Sequence, residues 1–180
     1  MRHQFDPAPS FGVIPIEQIE INPKSRHDMA RVLRSLQQIW KSKLHLEQIL
    51  TILRQKIGKT TRQREGRPGM HYWRILVLAL VKQALNTDYD HLVDEANEHR
   101  RLRQMLQHDD SEFGDGYVYE LQTVIDNVSL ITEEIWAELN PIIVEVGMQA
   151  LGEDPNAPME ARCDSYVVET NVQFPTEHVT

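Results

Sequence analysis

A chain of 180 residues that is 41% hydrophobic and holds one cysteine has enough apolar material for a helical core and a further small unit, with no internal disulfide. Its longest apolar run, residues 75 to 81, falls far short of the roughly 20 residues that span a bilayer, and no basic, apolar and small-residue succession opens the chain as a signal peptide does. These features argue against membrane-spanning and disulfide-stapled secreted classes and lead to the expectation of a soluble, cytoplasmic protein. The net charge of −8 divides unevenly: residues 24 to 74 hold thirteen Lys or Arg against three Asp or Glu, a balance of +10, and the remainder carries −18. A basic segment in an acidic chain is the footprint of a surface that meets phosphate, with the acidic remainder limiting indiscriminate binding.

In chain order, residues 1 to 21 carry Pro7, Pro9, Gly12 and Pro15 and read as an extended arm, followed by a helical domain over residues 22 to 151. Asn22 before Pro23 predicts a helix start, since the Asn oxygen can cap and a proline is tolerated where the amide is unpaired anyway. Val32, Leu33, Leu36, Ile39 and Trp40 recur at helical spacing; Lys41-Ser42-Lys43 interrupts them, and Leu46, Ile49, Leu50, Leu53 and Ile57 resume until Gly58. Two amphipathic helices packed on each other follow. Next comes the most basic stretch, with Arg54 and Lys56 leading into Lys59, Arg62, Arg64 and Arg67. It reads either as a solvated linker or as a DNA contact, and the second is favoured because small residues let such a loop lie along a backbone while Arg and Lys release phosphate counterions. Contacts of this kind position a protein on DNA without reading its sequence.

Residues 71 to 85 are apolar around nearly the whole circumference and predict the central buried helix, with Lys82 on its wet edge. Asn86-Thr87-Asp88 predicts a capped turn, Leu92, Val93 and Ala96 a short helix, and Leu102, Met105 and Leu106 another. That pair invites a helix-turn-helix reading with Arg100, Arg101 and Arg103 as groove readers, against which stand Asp90, Asp94, Glu95 and Glu98 on its first helix. Residues 107 to 116, with His108, Asp109, Asp110, Glu112 and Asp115, read as a solvated acidic loop and not a calcium site. The histidines lack the paired spacing of a zinc site, and His99 reads as a hydrogen-bonding residue at a helix end. Leu121, Val124, Ile125 and Val128 mark a helix; Thr132 caps the next, which Pro141 is expected to kink and Gly152 to end.

Residues 152 to 161, with Pro155 and Pro158, read as a linker, and residues 162 to 180 as a separate unit. Its β-branched and aromatic run from 166 to 174, closed by Pro175, predicts one β-strand. Parity places Asp164 on the same face as Tyr166, Val168, Thr170, Val172 and Phe174. An Asp there is either a solvated strand-start residue or a metal-binding carboxylate on a rigid strand. The neighbouring Cys163 reads as a small buried thiol and not a nucleophile.

The string Asp164-Ser165-x-Val167-Val168-Glu169-Thr170-Asn171-Val172-x-x-Pro175-Thr176 resembles the segment carrying the first catalytic aspartate of DDE transposases, specifically bacterial insertion-sequence enzymes of the ISNCY type, related to the IS-five class. Upstream, Gly66-Arg67-Pro68-Gly69-Met70, Ala96-Asn97-Glu98-His99, Leu102-Arg103-Gln104-Met105-Leu106 and Asp126-Asn127-Val128-Ser129-Leu130 resemble blocks of the same family in the same order, so the likeness runs over roughly residues 20 to 180. Gln173 stands where the family usually has His, and Glu177 where it usually has Asp. The resemblance implies an all-α, DNA-engaging domain joined to one C-terminal β-strand of an incomplete RNase H-like domain. It implies Asp164 as a catalytic metal ligand, magnesium or manganese as the cofactor of the complete family, and transposon-end DNA as partner. The family's second Asp and its Glu fall on later elements, so the expectation is a truncated transposase that retains DNA binding, does not stably hold the metal by itself, and is nucleoid-associated when bound. The alternatives are a DNA-binding or oligomerising remnant that associates with full-length transposase and interferes with it, and a non-functional fragment.

Overall fold

Seven α-helices form among the residues that the computed structural model describes, which are 12–60, 69–109 and 116–151, with backbone alone at 59–60 and 150–151. They are α1 (Asp28–Lys41), α2 (Lys43–Thr60), α3 (Tyr72–Leu85), α4 (Tyr89–Glu98), α5 (Arg100–Met105), α6 (Leu121–Val128) and α7 (Glu133–Leu151). The described part is all-α. The expected linker and strand, with Asp164, lie outside the described residues.

Periodicity explains the packing. Met29, Leu33, Leu36 and Ile39 fall three or four residues apart, so a helix stacks them on one face, and all four are buried. The expected pairing of α1 with α2 holds, with the break at Ser42 between them and Ile49, Leu53 and Ile57 of α2 buried at the same spacing. α3 is the central helix: Trp73, Ile75, Leu76, Val77, Leu78, Ala79 and Val81 are buried on every side, against α1, α2, α4 and α6. Lys82 is half-buried, its ammonium 4.7 Å from the centre of the Tyr89 ring, so the wet edge of α3 is partly sealed by a cation–π contact. α7 closes the other side against α1 and α2, and it runs on through Pro141 as one helix. Proline has no N–H to give to the carbonyl of Ala137, but Pro141 lies on the exposed side, where water can serve that oxygen.

Two expectations about the N-terminal region are corrected. Residues 12–21 are no extended arm: Ile16–Gln18 make a 3-10 turn that sets Ile16 and Ile19, three apart, into the core. Gln37 of α1 fixes the turn by donating to the Ile16 and Ile19 carbonyls at 2.8 and 3.1 Å. Nor does α1 start at Asn22. The Asn22 side chain accepts from the Lys24 amide at 2.9 Å, closing a local turn that competes with capping, and the helix begins at Asp28. Arg34 straps that turn to α1 by donating to the carbonyls of Asn22, at 2.7 Å, and Ser25, at 3.2 Å.

The turn before α4 is capped as expected. Asn86 takes a left-handed conformation, and the Asp88 carboxylate accepts from both the His91 amide, at 2.9 Å, and the His91 ring, at 2.8 Å. The hydrogen bonds from His91 hold the Asp88 pKa below its ordinary value, and those to Asp88, aided by its charge, hold that of His91 above. A lowered carboxylate pKa stabilises the fold above about pH 4 and loses that contribution in acid; a raised imidazole pKa stabilises below about pH 6.5 and loses it as pH rises through the folded value. The pair therefore contributes most between those limits. In thermal melts of wild type and His91→Ala from about pH 2.5 to 9, the gap in Tm is expected to be widest near pH 5 to 6, to narrow below about pH 4 and to narrow again as pH rises through the folded imidazole value; a gap independent of pH would refute the pairing.

Candidate nucleic-acid interface

The basic stretch proposed for DNA begins inside α2, which continues two residues past Gly58 to Thr60 and so corrects the expected helix end. Glycine weakens a helix interior by about 1 kcal/mol without forbidding it, and this one faces the start of α3: a Cβ on Gly58 would come within 3.5 Å of the Tyr72 hydroxyl. Gly58 of α2 thus lies beside the Tyr72 side chain at the start of α3. Arg62, Arg64 and Arg67 lie outside the described residues, and Lys59 is placed by its backbone alone.

Arg54 and Lys56 are in view, and they do not share a face. Two residues along an α-helix is a rotation of about 200°, so the side chains leave α2 on nearly opposite sides. Each meets a carboxylate. Arg54 donates to Glu47 at 3.2 Å, two turns back on α2, and Lys56 reaches Glu138 of α7 at 2.5 Å. The hydrogen bond and charge of Glu138, with the charge of Glu134 behind it, raise the Lys56 pKa. Sequence spacing carries a trace of the first partner, because residues seven apart stack on one helix face. It carries none of the second, 82 positions away.

Other cations of the +10 segment serve the fold. Arg34 holds the turn before α1, as described, and Arg74 donates to the carbonyls of Leu106, at 2.8 Å, and Gln107, at 3.1 Å, with its guanidinium 5.7 Å from the centre of the Tyr117 ring. Among the described residues, the charge left for phosphate is accordingly smaller than the segment's formal balance.

The helix-turn-helix candidate resolves differently. α4 and α5 are joined through one residue, His99, whose ring accepts from the Leu102 amide at 3.1 Å, the helix-end role expected of it. Arg103 turns inward and donates from both terminal nitrogens to the Tyr117 carbonyl at 3.2 Å. It is a strut and not a groove reader. Arg100 and Arg101 are exposed and line a groove of about 560 Å³ together with Gln18, Glu20, His99 and Gln104. With six residues, three of them buried, α5 offers little length to lay in a major groove.

The acidic loop is corrected at its start. His108 is fully buried, its Nε2 2.8 Å from the Tyr119 hydroxyl and its ring stacked on Tyr117 at 4.9 Å between centroids. Gly12, at φ +81°, packs so closely on Asp109 that a Cβ there would run into the carboxylate. The loop's remaining acids, Asp110, Glu112 and Asp115, lie outside the described residues.

Asp164 lies outside the described residues, and among those described no three His, Cys, Asp or Glu side chains converge as metal ligands. No helix among them is long and apolar enough to cross a membrane. In comparisons with protein-family models, with curated proteins and with solved structures, the chain has no match in any of the three.

Proposed function

We propose that the helical domain engages DNA through the basic connection between α2 and α3, in the role that its resemblance to the N-terminal part of ISNCY-type DDE transposases implies, with transposon-end DNA as the partner. The observation that carries this reading is the concentration of Lys59, Arg62, Arg64 and Arg67, against Glu65 alone, within the single connection from α2 to α3. Positive charge concentrated in one connection releases phosphate counterions when it meets a DNA backbone. On the same reading Asp164 is a metal ligand of the chemistry that the complete family performs; magnesium or manganese bound there would supply Lewis-acid stabilisation of phosphoryl transfer.

The test is a salt series of binding to short duplexes, one carrying candidate transposon-end sequence and one scrambled. Each neutralised phosphate contributes about 0.9 to the slope of log K against log salt. Replacing Arg62, Arg64 and Arg67 together by Ala is expected to flatten the slope by about 3 units and to weaken binding to both duplexes alike. An unchanged slope would move the footprint elsewhere.

A further inference from the structure

We infer that α7 carries a built-in competitor for phosphate: Glu138 pairs with Lys56 near the end of α2 and so restrains the DNA contact that Lys56 can make there. The inference rests on the DNA-engaging reading and adds regulation to that site. Three observations support it. Lys56 lies on the last turns of α2, four residues before the helix ends at Thr60, and thus on the part of α2 that precedes the basic connection. Its ammonium is in hydrogen-bonding contact with the Glu138 carboxylate, and the Glu134 carboxylate, one turn earlier on α7, acts on it through space. α7 is also no loose appendage, since Ile135, Leu139 and Val146 are buried against the core and hold its acidic face beside α2.

A phosphate approaching Lys56 therefore competes with a carboxylate for its charge and its N–H donors. The exchange is near-neutral for a closely matched backbone and unfavourable for an anion that meets Lys56 alone, which makes the pair a filter against weak, indiscriminate binding. Arg54, whose partner Glu47 sits on its own helix, is held in the same way but on the opposite side of α2.

The experiment measures affinity of the full chain for a short duplex from low to moderate salt, in wild type, Glu138→Gln, Lys56→Gln and the double variant. Glu133→Gln is the control that removes one negative charge from the same helix. Glu138→Gln is expected to tighten binding about two- to fivefold at low salt, the factor that an exposed ion pair represents, and the gain is expected to shrink as salt rises and to vanish in the Lys56→Gln background. An equal gain from Glu133→Gln, or a gain that survives without Lys56, would reduce the effect to bulk charge and overturn the competitor. Wild-type binding unaffected by Glu138→Gln would overturn it as well while leaving the DNA reading intact. Absence of binding in every variant at every salt would overturn both.

Discussion

Trp73→Ala is expected to cost about 3–5 kcal/mol of unfolding free energy, a large part of the 5–15 kcal/mol that a domain typically has. Three losses coincide at this side chain. It is fully buried, so truncation opens a cavity that the rigid face of α3 cannot collapse to fill. Its ring meets Trp40 of α1 edge to face at 4.8 Å between centroids, a geometry that adds to the area buried. Its Nε1 donates to the Met105 carbonyl at 2.8 Å, tying α3 to the end of α5, and without it that oxygen loses a partner in an apolar setting. Trp73→Phe separates the terms, keeping an aromatic body and losing the donor, and is expected to cost about 1–3 kcal/mol. Urea unfolding followed by circular dichroism reads both, and the Phe variant keeps the comparison open where the Ala variant does not fold. A cost below about 1 kcal/mol for Trp73→Ala would mean that the packing of α1 on α3 around this ring is not as described.

That helices would form, and which of them would be central, was legible because periodicity is local. The spacing of Leu33, Leu36 and Ile39 needs one short window, and so does the unbroken apolar circumference of α3. Helix ends were less legible, for a physical reason visible at Asn22 and Gly58. An Asn can satisfy a turn as well as a helix start, and a glycine weakens a helix interior by only about 1 kcal/mol, which packing can offset. Least legible were the polar partners. Trp73 to Met105, Arg74 to Leu106 and Lys56 to Glu138 join residues far apart in sequence, and nothing in a cation's identity says whether it will meet a phosphate, a carbonyl or a carboxylate. Formal charge therefore overstated the candidate interface. Arg34, Arg74 and Arg103 are counted as positive charge by composition and used as hydrogen-bond donors by the fold.

Asn97→Ala is expected to cost about 2–3 kcal/mol, because this one side chain closes both polar groups of a buried backbone position. Its amide donates to the Tyr119 carbonyl at 3.0 Å and its oxygen accepts from the Tyr119 N–H at 2.8 Å, the pattern a neighbouring strand would offer. Tyr119 is thereby held for its hydroxyl to meet His108 and its ring to meet Tyr117. Asn97→Asp tests the donor alone. A carboxylate can still accept from the N–H but faces the Tyr119 carbonyl as a second acceptor, so the variant is expected to be destabilised at pH 7 and to recover part of the deficit, relative to wild type, near pH 4, where a protonated carboxyl donates again. A deficit that does not change with pH would count against the bidentate geometry. The outcome also bears on the family resemblance. Ala96, Asn97 and His99 belong to one of its blocks, and their roles here are burial, the Tyr119 clamp and the cap of α5, all of them structural. If Asn97→Ala lowers stability while the folded variant keeps the salt slope of DNA binding, this block serves the architecture alone, and the proposed phosphate contacts rest on residues 59 to 67. If the slope flattens too, the α4–α5 corner, with Arg100 and Arg101 at its surface, is itself part of the interface.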